Sequence, residues 1–139
     1  MFSSTGFGKA NAYRQVGVQS GIENASPHKL IQMLFDGLFQ SLRAALGALE
    51  RGDVEEKGQQ ISKSVRILQE GLILGLDMEK GGELAVNLRL LYDYCVGQLT
   101  KANLHSDAAL VEEVIGVLQP VADGWKEIAP QAEATARGG

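Results

Sequence analysis

The residue types that most often carry chemistry occur in this chain as scattered candidates. The run Gly6-Phe7-Gly8-Lys9 has the glycines and the lysine of a phosphate-binding loop, whose backbone N–H groups would cradle a nucleotide. Such a loop needs a glycine five residues before the Gly-Lys pair and a Ser or Thr after it. This chain has Ser3 and Ala10 at those positions. The sequence therefore predicts no nucleotide site.

The two histidines, His28 and His105, are candidate metal ligands or general bases. Di-metal sites in helical bundles use a Glu three residues before each His, and neither histidine has one. Asp77, Glu79 and Glu83 are grouped near a turn, but they lack the alternating ladder of a calcium loop. Because both histidines flank predicted helix ends, we expect surface or capping roles for them and no bound metal.

The single cysteine, Cys95, lies on the predicted core face of a helix, with no histidine within two turns. A thiolate is disfavoured among apolar neighbours, so we expect Cys95 to behave as a small core hydrophobe. One cysteine offers no intrachain disulfide and is typical of a reducing compartment. Without a nucleophile, base or metal set, we expect no enzyme activity and no cofactor.

Helical periodicity defines the elements that position these residues. Ser26 and Pro27 are the cap and first residue of a predicted helix one, and Gly52 is its C-cap. Asp53 starts helix two, which the pattern extends to a break at residues 77–82. We expect one apolar face on each helix, with Val54, Ile61, Val65, Leu68, Leu72 and Leu76 on helix two.

Helix three is predicted from Gly82 to about Asn103, and its core row is Leu84, Leu88, Leu91, Cys95, Leu99 and Ala102. Ser106 and Asp107 cap helix four, in which Pro120 predicts a kink. The stripe of helix four is Leu110, Val111, Val114, Leu118, Val121, Trp125 and Ile128. The short links predict an all-α, antiparallel up-down four-helix bundle over residues 26–129, with a flexible N-terminal arm (1–25) and a disordered C-terminal tail (130–139).

Length and charge limit the function classes. The chain has 139 residues, enough for about one domain, and a net charge of −4. It shows no basic face for nucleic acid, no apolar run of eighteen residues for membrane insertion and no secretory signal core. We therefore expect a cytoplasmic protein that binds no nucleic acid and does not insert into a membrane.

Helix three has a second apolar row. Val86, Leu90 and Tyr94 are four residues apart and span about 80° of arc, well separated from the core row. Helix two repeats this arrangement with Ile67 and Leu74, seven residues apart, and Gly71 between them. A four-helix bundle has no fifth helix to cover such rows. They predict a partner groove, a homodimer contact, or peripheral core beneath the N-terminal arm, and the pattern leaves all three open.

Glycines favour a binding scaffold as well. Each glycine inside a helix costs about 0.5–1 kcal/mol relative to alanine, and either a close helix approach or a pliable bundle is needed to offset it. Glycines that fall within the predicted helices include Gly47, Gly58, Gly71, Gly75, Gly97, Gly116 and Gly124.

Short sequence pieces occur along the chain in a characteristic order: Ala12-Tyr13, Ala25-Ser26-Pro27, residues 33–37 (MLFDG), Gly52-Asp53, residues 76–83 (LDMEKGGE), Asn87-Leu88, residues 91–94 (LYDY), Ala102-Asn103 and residues 125–128 (WKEI). Over roughly residues 9–129, their order and spacing resemble the FliS family of flagellar export chaperones. The resemblance implies a cytoplasmic helical bundle that binds the C-terminal segment of flagellin, prevents premature polymerisation and delivers flagellin to the export gate protein FlhA of the flagellar type III secretion system.

The resemblance also implies site residues. Tyr13 corresponds to the arm tyrosine that is linked to gate recruitment and to covering the groove, and Ala10 and Val16 lie beside it in the arm. The second apolar rows provide anchors at the helical intervals that a helix-in-groove partner needs. We expect a monomer or a weak homodimer. The alternative function is that of a homo-oligomeric structural or adaptor protein that uses the same rows to pair with itself.

Overall fold

The structure is a computed structural model that describes the backbone of residues 25–138 and the side chains as far as Ile128. Within that part of the chain there is no strand. The elements are α1 (Pro27–Arg51), α2 (Val54–Arg66), a π-helical segment (Ile67–Ile73) that continues α2, α3 (Gly82–His105) and α4 (Ala108–Gly138).

The predicted ends of α1 are confirmed. The Ser26 side chain accepts a hydrogen bond from the Lys29 backbone N–H at 3.1 Å, and Pro27 occupies the first turn. Gly52 ends the helix in the left-handed conformation with φ 73°, which favours glycine. Asp53 caps α2, because its carboxylate accepts the Glu56 backbone N–H at 3.1 Å.

The helices form the predicted antiparallel up-down bundle. Each helix packs against its neighbours in sequence, and α4 returns to pack against α1, which places α1 and α3 on a diagonal. The buried core draws on all four helices, and it contains Leu34, Leu38, Leu42, Ile61, Ile67, Leu68, Cys95, Leu99, Val111, Val114 and Leu118. Burial of these apolar side chains is the main stabilising contribution to such a fold.

The predicted core rows are wrong at their ends. Periodicity predicts Val54, Leu84 and Ile128 on core faces, and all three are exposed. Val54 is the first residue of α2, Leu84 lies in the first turn of α3, and Ile128 lies on α4 beyond Trp125. At these positions the neighbouring helices no longer cover an otherwise correct face. Periodicity predicts which face is apolar but not how far the partner helix extends.

The π-helical segment departs from the single regular helix two that the pattern predicts. Residues 67–73 form this wider turn, and regular structure ends there rather than at the predicted break after Leu76. Gly71 within it approaches α1 closely, since a Cβ atom there would lie 3.1 Å from both methyl carbons of Leu34. Of the two explanations for helical glycine, close approach therefore applies at Gly71. At Gly97, Gly116 and Gly124 a Cβ atom would meet open space.

Pro120 does not interrupt α4, which is one helix from Ala108 to Gly138. The predicted disordered tail, residues 130–139, lies wholly beyond the described side chains, while the described backbone of α4 continues through it as far as Gly138, so its disorder stays a prediction.

A reciprocal contact joins the first and last helices. The Trp125 indole Nε1–H donates to the His28 carbonyl oxygen at 3.0 Å, and the His28 Nε2–H donates to the Trp125 carbonyl oxygen at 2.9 Å. The two rings are stacked, with centroids 4.2 Å apart. The expected surface role of His28 is therefore wrong, because its side chain is buried. Its partner is 97 residues away in sequence, beyond the reach of local pattern.

Candidate docking surface

The second apolar row of α3 is exposed, as its angular position predicts. Val86, Leu90 and Tyr94 all face solvent, and the Leu90 side chain is 62% exposed. They lie on the side of α3 opposite Cys95 and Leu99, which are fully buried. Nothing in the described part of the chain covers this row, so it is a candidate docking surface.

The second apolar row predicted on helix two does not exist as a row. Ile67 is fully buried in the core, Gly71 is buried against Leu34, and Leu74 is 53% exposed. On an α-helix, residues seven apart differ by only about 20°. A π-helix, with i→i+5 bonds, has about 4.4 residues per turn, which rotates the same interval to roughly 210°. The π-helical segment therefore sends Ile67 inward and Leu74 outward.

Leu74 lines an open depression between the π-helical segment and α3. The depression has a volume of about 430 Å³, and its lining is Gln69, Ile73, Leu74, Leu76, Met78, Arg89 and Asp93. A second depression of about 720 Å³ lies nearer the other end of α2 and α3, lined by Ile61, Ser62, Val65, Arg66, Thr100, Asn103 and Leu104. The outer side of the α2–α3 pair is thus grooved at two places.

On the other flank of α3, a polar cluster joins the apolar row to α4. The Tyr94 hydroxyl donates to Glu113 Oε2 at 2.6 Å, and the Gln98 side-chain N–H donates to Glu113 Oε1 at 2.7 Å. The first distance is in the range of a charge-assisted O–H···O⁻ bond. Each carboxylate oxygen therefore has one bound donor.

These bonds change the ionisation of both partners. The Tyr94 hydroxyl bond and then the Gln98 bond, with help from the positive charge of Lys101, hold the pKa of Glu113 below its usual value. The same bond, which is lost when the phenol ionises, raises the pKa of Tyr94. Glu113 is therefore a carboxylate at neutral pH, fixed beside the exposed row.

Sequence reasoning missed three contributors to this surface: Met78, Gln98 and Glu113. Gln98 and Glu113 lie on facing helices, Gln98 one turn beyond the row, but their pairing depends on the register of α3 against α4, which one sequence does not reveal. The arm residues Ala10, Tyr13 and Val16 lie outside the described residues, so their predicted role is untested.

Cys95, the nucleophile considered in the sequence, is poorly suited to react. Burial, with the charge of Glu113 as a smaller cause, raises the pKa of Cys95 to about 12, which suppresses the thiolate. Among the described side chains, no group of three or more His, Cys, Asp or Glu is placed to hold a metal ion.

Within the same part of the chain, no helix has the length and apolar character needed to cross a membrane.

Together these features define a class: small helical bundles with a filled core and an uncovered apolar helix face, suited to binding another chain. A family model described as "Flagellar protein FliS" matches residues 9–132. The flagellar secretion chaperone FliS of Salmonella typhimurium is 49% identical over 132 residues, which cover 95% of this chain and 96% of the relative.

Two further relatives agree. The flagellar secretion chaperone FliSB of Pseudomonas aeruginosa is 43% identical, with 84% of this chain and 91% of the relative covered. FliS of Escherichia coli is 41% identical, with 84% and 85% covered. This chain belongs to the FliS family.

Proposed function

We propose that this protein is a non-enzymatic flagellar secretion chaperone of the cytoplasm. It binds the C-terminal segment of newly made flagellin, keeps flagellin from polymerising early and delivers it to the export gate protein FlhA. The observation that carries this proposal is the exposed row Val86, Leu90 and Tyr94, left uncovered in a family of secretion chaperones.

The groove residues are part of the proposal. Val86, Leu90, Tyr94 and Leu74 are the exposed anchors that meet apolar side chains of the flagellin segment. Ile67 and Gly71 act from beneath, because they hold the π-helical segment against α1. Contact with FlhA is assigned to the arm around Tyr13, with Ala10 and Val16, and this assignment rests on family membership alone.

Binding of a disordered segment fits the task of a holding chaperone. A segment that folds on binding loses about 2–5 kcal/mol or more of the gross interaction to its own ordering. The complex is then held by apolar burial without a nucleotide, and it is dismantled when the segment is drawn away.

The first prediction concerns Leu90. Leu90→Asp places a charge in the centre of the proposed interface, so we expect affinity for a flagellin C-terminal peptide to fall at least about 30-fold, as for a central anchor residue. Because Leu90 is 62% exposed in the free protein, the circular dichroism and melting temperature stay near those of the unaltered protein. Isothermal titration calorimetry measures the affinity.

Val54→Asp is the matched control, since Val54 is also an exposed aliphatic residue but lies at the start of α2. We expect it to bind the peptide like the unaltered protein. Equal affinity of the Leu90 and Val54 variants would contradict the docking surface. Absence of any binding by the unaltered protein at micromolar concentrations would contradict the chaperone function itself.

Light scattering separates the proposal from a homo-oligomeric adaptor. A chaperone whose surface is reserved for a partner is a monomer, or a dimer that dissociates on dilution. A stable oligomer that the Leu90 variant breaks would favour the adaptor.

A further inference from the structure

Glu113 is half-buried, and it differs from the other carboxylates of this surface because both of its oxygens accept a hydrogen bond. Tyr94 and Gln98, from successive turns of α3, donate to one oxygen each at 2.6 and 2.7 Å. An exposed glutamate ordinarily loses rotamer freedom when a partner binds it, which cancels much of the gain from an ion pair. Here the two donors have already fixed the carboxylate, so less freedom remains to be lost.

The fixed charge lies at the edge of the apolar row. Tyr94 belongs to that row and to the polar cluster, so the carboxylate lies within one side-chain length of an apolar anchor. An amphipathic segment that places an apolar side chain on Leu90 and Tyr94 brings its flanking residues to Glu113. Each carboxylate oxygen still has acceptor capacity after one bond, so a cationic donor can be added without displacing Tyr94 or Gln98.

The cations on α3 leave the carboxylate of Glu113 available. The Asp93 carboxylate is already paired with Arg89, at 3.6 Å from its Nε, and Lys101 lowers the pKa of Glu113 only as a minor cause. The carboxylate of Glu113 therefore remains without a cation in salt-bridge contact among the described residues.

We propose that Glu113, held by Tyr94 and Gln98, is a preorganised acceptor for a Lys or Arg side chain of the bound segment. The docking surface would thereby select a segment that carries a positive charge as well as apolar side chains. This inference rests on the proposed function, because the occupant is the flagellin segment.

The experiment compares Glu113→Gln with Glu112→Gln. Glutamine keeps one oxygen, which can accept from Gln98, and its NH2 can donate to the Tyr94 hydroxyl oxygen, so the tie between α3 and α4 persists while the charge is removed. Glu112→Gln removes the same charge one residue away, from a side chain that makes neither bond. Both variants are titrated with a flagellin C-terminal peptide and with the same peptide in which every Lys and Arg is replaced by Gln.

We expect Glu113→Gln to weaken binding of the native peptide about 5- to 10-fold, in the range of a charge-assisted contact at a partly exposed site. Glu112→Gln should change it less than about 2-fold. With the Gln-substituted peptide, the effect of Glu113→Gln should disappear. The melting temperatures of both variants should match that of the unaltered protein, which separates a role in recognition from one in holding the bundle together.

Tyr94→Phe provides a second readout. It removes the hydroxyl that positions the carboxylate but keeps the ring. The difference in affinity between the native and the Gln-substituted peptide should therefore become smaller but remain measurable. Equal effects of the two Glu→Gln variants, or an effect of Glu113→Gln that persists with the Gln-substituted peptide, would overturn the proposal. Failure of the unaltered protein to bind either peptide would instead overturn the proposed function.

Discussion

At the scale of single residues, Lys57 links two helices through its side chain. It is a buried ammonium that donates to the Asn103 carbonyl oxygen at 2.9 Å and to Ser106 Oγ at 3.0 Å. Asn103 lies in the last turn of α3, whose final carbonyl groups have no partner within the helix. A residue of α2 thus completes the C-terminus of α3 and fixes the turn to α4.

Lys57→Met keeps the aliphatic stem and removes the donor. We expect the free energy of unfolding to fall by about 1–3 kcal/mol, because the Asn103 carbonyl loses its partner and the α3 dipole loses a cation. Urea unfolding measures the change. Lys63→Met, at an exposed position of the same helix, should stay within about 0.5 kcal/mol. A Lys57 variant as stable as the Lys63 variant would mean that relief from charge burial cancels the lost bonds.

Cys95 gives a second prediction at this scale. Its pKa of about 12 and its complete burial predict that a thiol-specific reagent at pH 8 modifies it only after the bundle opens. The labelling rate in native buffer should therefore be several orders of magnitude below the rate in denaturant, where one thiol reacts at once. Comparable rates in the two conditions would show that the thiol is accessible without unfolding.

The structural roles of some residues follow from their local sequence, and those of others do not. The caps Ser26, Gly52 and Asp53 are predictable because their partners lie within a few residues. The buried state of His28 and the pairing of Glu113 are not, because each depends on a contact between different helices.

At the scale of elements, the π-helical segment decides which side chains reach the surface. Upstream of it, α2 follows a regular period, with Ile61 and Ser64 buried. Within it the wider turn brings Gly71 against Leu34, and beyond it Gly75 lies near Ile31, where a Cβ atom would be 3.5 Å from its Cδ1. The segment therefore lets α1 and α2 pack closely while Leu74 turns towards solvent.

A π-helical turn behaves as one extra residue in an α-helix, so its removal should restore a regular helix without rotating the residues downstream of it. We expect deletion of Gln69, an exposed residue of the segment, to change the stability by less than about 1 kcal/mol. Amide hydrogen exchange across residues 67–73 should become slower in the deletion variant, because α-helical bonds replace the wider turn.

Deletion of Gln59, in the regular part of α2, is the control. It rotates the faces on either side by about 100° relative to each other, so it should cost more than about 3 kcal/mol or prevent folding. A Gln69 deletion as harmful as the Gln59 deletion would argue that the wider turn is indispensable.

This segment also marks the limit of sequence-based prediction for elements. The row on α3 is predicted correctly because α3 is regular from end to end. The prediction of a second row on helix two is wrong because the spacing of Ile67 and Leu74 is that of one face of a regular helix. No residue type indicates a π-helical turn. Gly71 and Gly75 are the only hint, as small residues four apart.

At the scale of the whole molecule, the ring of four helices closes between the first and the last. Trp125 and His28 make that closure with two hydrogen bonds and one ring stack. The short links determine the order and direction of the helices, so the bundle itself is predictable. The contact between His28 and Trp125 is not predictable, since nothing in the sequence marks these two residues as partners.

Trp125→Phe keeps an aromatic ring for the stack and removes the indole N–H. We expect a loss of about 0.5–1.5 kcal/mol in the free energy of unfolding, because a part-buried hydrogen bond between α4 and the His28 carbonyl oxygen is removed. Thermal unfolding followed by circular dichroism measures the loss. Ile128→Ala, an exposed position on the same helix, should shift stability by no more than about 0.5 kcal/mol. Identical melting curves for the two variants would show that stacking alone closes the ring.

The meeting of His28 and Trp125 has a practical consequence for attaching the protein to anything else. Residue 25 and the last described side chains lie at one pole, where Trp125 meets the first turn of α1 and Gly75 lies near Ile31. A fluorophore or sensor-chip linker attached at residue 25 or at Ile128 is thus delivered to the same pole. The Gly52 turn lies at the opposite pole, roughly 36 Å away at 1.5 Å per residue along α1, and a linker grafted there leaves the first pole unobstructed.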